Sequence, residues 1–271
     1  DETKEWIEEK DNMLNTEDVG KDLTSVQRLI RKQDALERDL IALGERVKLL
    51  DSKAVELVQS HPAEAGAICQ HQEEINEMWN KLTAKSDKRR AKLLDSFDLQ
   101  KYLADYRDLH AWINTMYSLV SSEDMAKDVT SAEALLERHR EHRTEIDARA
   151  GTFQNFDAFG RDLLRNGHYA TDEVEEKMRD IEEQREKLNE AWLTRRQLLD
   201  QCLELQLFLR DCEQAEDWMR IRESSLLGED VDGKTVDALI KKHEDFNRAI
   251  NMQEEKIRSL KDFADQLIEQ D

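Results

Sequence analysis

The chain has almost nothing that breaks a helix. Its 271 residues include one proline, Pro62, and eight glycines. None of those glycines lies between Ala67 and Ala150, or between His168 and Leu227. Both residue types are costly inside a helix, so long stretches carry no strong breaker and the chain reads as all-α. Aromatics are also scarce, at 6%, while charged residues reach 38% against a usual value of ~25%. That composition is too polar for one thick core. It suits slender helices that each bury a narrow stripe and solvate the rest. No apolar run approaches the ~18–20 residues of a membrane span, and no signal-peptide pattern opens the chain. Positive charge is in deficit, with a net charge of −21. A deficit of that size argues against binding nucleic acid or an anionic membrane surface. Three cysteines, Cys69, Cys202 and Cys212, form no CxxC. On one helix Cys202 and Cys212 stand ~15 Å apart along the axis, too far for a disulfide. The thiols read as free.

What the chain does have is a period. Trp-Ile, Trp-Ile and Trp-Met occur at positions 6, 112 and 218, a step of 106 residues each time. A fixed period decides the architecture before any local reading does. Each period holds three helices. Helix A of the middle unit carries Leu99, Tyr102, Tyr106, Leu109, Ile113 and Met116 at steps of three and four, an apolar stripe. The third unit repeats it with Leu205, Phe208, Cys212, Ala215 and Met219. A polar connection follows, NTEDVGKDLTS in the first unit and SSEDMAKDVTS in the second. Thr24 with Gln27, and Thr130 with Glu133, have the spacing of a capping box for helix B. The third unit has a shorter loop marked by Gly228 and Gly233.

Helix B of the first unit spaces Leu29, Leu36, Leu43, Leu50 and Leu57 by sevens, with Leu40, Val47 and Ala54 beside them. A sustained heptad specifies a left-handed bundle seam. Helix C carries Ile75, Trp79, Leu82 and Leu93 in the first unit and Ile181, Leu188, Trp192 and Leu199 in the second. Neither Gly nor Pro separates helix C from the next helix A between Arg89 and Trp112, or between Arg195 and Trp218. Those helices are expected to run together, joining the units in series as a stiff rod.

A 106-residue, three-helix unit with a tryptophan in helix A and another in helix C resembles the spectrin repeat family. The stretches DETKEWIEEK, AKDVTSAEALLERHREHRTEIDARAGTF, LDQCLELQLFLRDCEQAEDWM and LIKKHEDFNRAINMQEEKI look like consecutive mid-chain repeats of the alpha spectrins. The resemblance covers the whole chain. It implies residues 1–96 as a repeat lacking the start of helix A, 97–202 as a complete repeat, and 203–271 as helices A and B of a third. An excerpt of a longer chain is the expected reading of those ends. The family further implies a cytoplasmic, cortical membrane-skeleton rod that pairs side by side, antiparallel, with beta spectrin. Actin and ankyrin would be reached indirectly through the beta chain, with no direct membrane insertion. Trp6, Trp79, Trp112, Trp192 and Trp218 are the expected core markers. Trp79 has Arg185 as its 106-residue counterpart, and the aromatic moves seven residues to Trp192, which keeps its face and is expected to be buried.

One cluster looks chemical. His139 and His142 share a helix face with Glu145 nearby, a spacing that can hold a metal. Yet they fall at seam positions, where the first unit has Gln33 and Leu36 and the third has His243 and Phe246, and no third ligand is fixed by the pattern. A core or boundary pair is the better account, with pH sensitivity of the middle unit as its consequence. Arg149 and Gln253 fall opposite Leu43 in the same seam, fixing register or snorkelling to its edge. The basic run from Lys85 to Lys92, late in helix C, reads as complementing the local helix dipole or simply as a solvated face. No phosphate loop, nucleophile elbow or HExxH occurs. The expected function is structural and not enzymatic, without cofactor or metal, and a docking scaffold for another protein is the second reading.

Overall fold

The computed structural model describes residues 2–227 and 235–269. Among these it is helical almost throughout and contains no strand. The elements are α1 (Glu2–Met13), α2 (Leu23–Ser60), a 3₁₀ turn (Pro62–Glu64), α3 (Ala65–Val120), α4 (Val129–Ala148), α5 (Ala150–Arg165), α6 (Thr171–Leu227) and α7 (Val236–Glu269). The turn expected at Gly228 and Gly233 lies outside the described residues. Helix α3 is 56 residues long and α6 is 57, so the chain passes Ser96–Phe97 and Cys202–Leu203 without leaving the helix. Two compact units result: Asp1–Ala111 with Gly151–Glu182, and Trp112–Ala150 with Glu183–Asp271.

The helix starts differ from the expected ones by two residues. Asp22 and Asp128 cap α2 and α4, each accepting the backbone N–H three residues on, from Ser25 and Ser131, at 2.7 Å. Ser25 and Ser131 Oγ in turn accept the Asp22 and Asp128 N–H groups at 3.1 and 3.2 Å. This is a reciprocal box built from Asp and Ser, and Thr24 and Thr130 fall inside the first turn instead. The bonds hold both carboxyls below the ordinary aspartate range.

In the first unit Ile7, Leu14, Leu36, Leu40, Leu43 and Leu82 form one buried cluster, with Trp6, Ile75, Met78 and Trp79 packed on its rim. The seam of α2 runs on through Val47 and Ala54, whereas Leu57 at its end is exposed. The same unit holds Tyr102, stacked on Phe156 with ring centres 4.5 Å apart. Gly160 lies against both Tyr102 and Met178: a Cβ there would meet Met178 Sδ at 2.7 Å and the Tyr102 hydroxyl at 3.1 Å.

In the second unit Ile113, Met116, Leu136, Ile146, Leu188 and Leu199 are buried. Helix B of the middle repeat is not one helix, as its heptads imply, but α4 and α5 meeting at Arg149. Arg149 takes the register of Leu43, and its guanidinium lies over the Trp112 ring 4.9 Å from the centroid. An unpaired cation cannot occupy a dry seam, and this one finds an aromatic face at the edge. Helix α7 has no buried residue, and Val236, Met252 and Ile268 on it are exposed. Between it and α6 lies an open groove of about 680 Å³ lined by Ala215, Trp218, Leu260 and Phe263.

Candidate functional site

Specific side-chain bonds fasten loops to the helices where one repeat passes into the next. At the first junction, Asp95 and Ser96 sit within α3. Ser96 Oγ donates to the Val19 carbonyl of the A–B loop at 2.7 Å. His168 Nε2 donates to the Asp95 carbonyl at 2.8 Å, while its Nδ1 accepts the Ala170 N–H at 3.1 Å. What aims His168 is a helix stop. Gly167 has φ of +66°, its N–H bonds to the Leu164 carbonyl at 3.1 Å, and the His168 N–H bonds to Leu163 at 3.1 Å. That pair of bonds is a Schellman motif, which needs a left-handed residue where glycine stands. One loop from the preceding repeat and one from the following repeat thus both fasten to the same turn of the shared helix.

Arginines secure the A–B loops. Arg89 donates to the Asp18 carbonyl, and Arg195, 106 residues on, donates to the Asp124 carbonyl. Both side chains are buried, at 7% exposure. This corrects the reading of the basic run as a solvated face: Arg89 is interior, and Arg90 pairs with Asp34 at 2.7 Å and Glu37 at 3.1 Å. At the second junction Cys202 takes the register of Ser96, with its Sγ 3.9 Å from the Ala126 carbonyl. Gln206 Nε2 donates to that same carbonyl at 3.3 Å. The three cysteines are free thiols.

The five tryptophans are half-buried, and Trp6 and Trp79 pack on the rim of the first cluster. Arg46 covers Trp6, Arg149 covers Trp112, Arg143 covers Trp192 and Arg222 covers Trp218, with separations of 5.8, 4.9, 5.5 and 5.3 Å. Trp79 lies on the backbone of α2 at Gly44, where a Cβ would stand 3.0 Å from the indole. The expectation that Trp192 is buried is corrected: an indole of this size, with an N–H to satisfy, stays at the edge.

His139 is interior, at 3% exposure. Its Nε2 donates to the Trp192 carbonyl at 2.9 Å, Trp192 Nε1 donates to the His139 carbonyl at 3.0 Å, and the rings stack 4.8 Å apart. In the first repeat the same register holds Gln33, whose Nε2 donates to the Ser86 carbonyl at 3.2 Å and to Ser86 Oγ at 2.9 Å. A seam side chain bonding the backbone of helix C is therefore a shared device, with a different pair in each repeat. Burial pushes the His139 pKa down; the bond to the Trp192 carbonyl opposes this, and the neighbouring His142, Arg195 and Arg196 add to the lowering. Among the described residues no cluster of His, Cys, Asp or Glu could hold a metal. Elsewhere, burial and a 2.6 Å bond to Asp180 raise the Tyr106 hydroxyl to about 12.

Sequence reasoning missed His168 and Ser96 as junction residues. Position 168 aligns with Pro62, so the period carries no signal there. Arg89 and Arg195 did repeat, and that repetition within an otherwise variable charged run was the available clue.

Long helices that run through each period boundary, with loops fastened across them at matching registers, define a tandem three-helix repeat protein. The spectrin repeat profile matches residues 1–95, 97–201 and 203–271, and the chain belongs to the spectrin repeat family. Over its whole length it is 40% identical to the "Spectrin alpha chain, erythrocytic 1" of Mus musculus. It is 31% identical, again over its whole length, to the "Spectrin beta chain" of Drosophila melanogaster. Over 90% of its length it is 34% identical to the "Spectrin beta chain, erythrocytic" of Mus musculus. The chain spans 11% of the first of these proteins and 12% of each of the other two. Among the described residues no helix is long and apolar enough to cross a membrane.

Proposed function

We propose that this chain is an elastic, structural rod segment of a cytoplasmic, cortical membrane skeleton. The observation that carries this reading is the unbroken course of α3 and α6 through both junctions. A helix rises 1.5 Å per residue, so a ~33-residue helix gives each repeat a span of ~50 Å. Unfolded, a 106-residue period stretches to ~370 Å. A repeat that opens under load and refolds lengthens the segment without parting it. The helices shared by neighbours pass strain from one repeat to the next. Pulling the chain from its two ends tests this. The expected record is a series of reversible steps of up to ~320 Å, the unfolded contour less the folded span, some of them doubled where neighbours open together. Smooth extension without steps would remove the elastic reading.

The likeness to both alpha and beta spectrin chains supports lateral, antiparallel pairing with a beta spectrin. Actin and ankyrin would then be reached through that partner. Sedimentation of this chain with matching beta repeats should give a heavier complex, whereas independent sedimentation would leave the spacer role alone. A docking scaffold for another cytoskeletal or adaptor protein is the second reading. It is favoured by one observation: a groove of about 540 Å³ in the middle repeat that exposes Tyr117, Met125 and Leu198.

A further inference from the structure

We propose that the middle repeat is the pH-responsive element of this segment, with His139 as its sensor and His142 beside it, so that mild acidification selectively loosens that repeat. The first repeat has no titrating group at this place, because Gln33 and Ser86 fill the register that His139 and Trp192 fill in the second, and in the third repeat His243 takes that register but is exposed. His139 is covered face-on by the Trp192 indole, at an interplanar angle of 8°. Its Nε2 is committed to the Trp192 carbonyl. His142 lies one turn on, with ring centres 6.3 Å apart, and its buried Nδ1 has no hydrogen-bond partner.

An imidazolium in such a place needs a counter-ion. The surrounding elements supply mostly the opposite. Helix α4 contributes His142 and Arg143, and α6 contributes Arg195 and Arg196. Residues 112–120 of α3 carry no charge, and Tyr117 is their one titrating group. Asp147 and Asp200 are engaged by Arg143 and Arg196, at 2.9 and 2.8 Å. The groove beside Arg195 adds Lys187, Glu190 and Glu123 at the surface. Stacking on an indole favours a cation, but Arg143 already occupies that ring at 5.5 Å.

The direction follows from the protons. His139 titrates below the ordinary histidine value in the folded repeat and at about 6.5 once unfolded. The unfolded state therefore binds the extra proton first. Stability is full above about pH 6.5 and falls as pH drops towards the folded value, where the loss levels off. The unfolding constant of this repeat rises about tenfold for each unit of separation between the two values. The capping carboxylates of Asp22 and Asp128 protonate below 3.8, outside that window.

The test is a titration of the histidine rings by NMR in the full chain, native and urea-unfolded. The His139 ring is expected to titrate lower in the native chain than in the unfolded one. Coincident native and unfolded titrations overturn the proposal. In parallel, urea unfolding of wild type and His139→Gln is compared at about pH 7.5 and about pH 5.5. The wild-type midpoint should fall on acidification, and the variant should lose most of that fall. An undiminished fall in a folded variant also overturns the proposal. Should the variant not fold, the ring titration decides.

Discussion

Trp192 and His139 are bonded to each other twice, each through its ring nitrogen to the other's backbone carbonyl, at 3.0 and 2.9 Å. The pair locks α4 to α6 where Gln33 and Ser86 lock α2 to α3. Exchanging both residues for the first repeat's pair is therefore a conservative double change, while either single change leaves a mismatched partner. Trp192→Ser should cost about 2 kcal/mol, since the indole is half-buried. His139→Gln with Trp192→Ser should recover at least about 0.5 kcal/mol relative to the sum of the singles. Urea unfolding of the four proteins measures this, and strict additivity would show that the two residues do not act as a unit.

Gly160 tests the packing under Tyr102. An alanine Cβ would stand 2.7 Å from Met178 Sδ, so either Met178 or the stacked Tyr102–Phe156 pair must shift. Gly160→Ala should destabilise by about 1–3 kcal/mol despite alanine's better helix propensity. Gly66→Ala, where nothing lies within 4 Å of the added carbon, should be neutral or stabilising. The melt of Gly160→Ala should fall while that of Gly66→Ala holds or rises; a shared rise would mean that the site under Tyr102 has slack.

Asp128 caps α4, and Thr130 does not. Asp128→Ala should lower the unfolding midpoint, and Thr130→Ala should lower it much less. The Asp128 carboxyl is held below its ordinary value, so its contribution is present above about pH 4 and is lost as pH falls through the lower, folded value. The difference in midpoint between wild type and Asp128→Ala should accordingly shrink in strong acid. A constant difference would assign the effect to helix propensity alone.

Gln100 lies one turn beyond the Asp95–Ser96 junction, inside α3. Proline there removes a backbone donor and clashes with the preceding turn, at a cost of about 3 kcal/mol. Gln100→Pro is expected to split a shared melting transition into two. A single transition displaced to lower temperature would mean that the loop ties through Ser96 and His168 suffice to couple the repeats.

The fold was readable because it is periodic. A heptad buries the same face again and again, so Leu36, Leu40, Leu43 and Val47 could be assigned together and all are buried. Errors arose where one residue answers to something outside the period. Leu57 belongs to the row but falls past the reach of the seam, and is exposed. Asp22 outcompetes Thr24 as the cap because its carboxylate sits before the first turn and not within it. Helix B is interrupted at Arg149, whose guanidinium lies over Trp112. The junction was legible as a helix without breakers, and its loop ties were not. Bonds such as His168 to Asp95 join residues 73 positions apart, and no local pattern encodes them.

The unbroken helices also set where the chain can be cut. A protease needs an extended segment, and a helical turn held by loops on two sides offers none. Among the described residues, the peptide bonds outside the α-helices lie mainly in the stretches around residues 16–20, 61–64, 121–127 and 166–170, inside each sequence period. Stable proteolytic fragments would therefore begin part-way through one period and end part-way through the next. A fragment map would be out of phase with the sequence repeats, although both describe the same molecule.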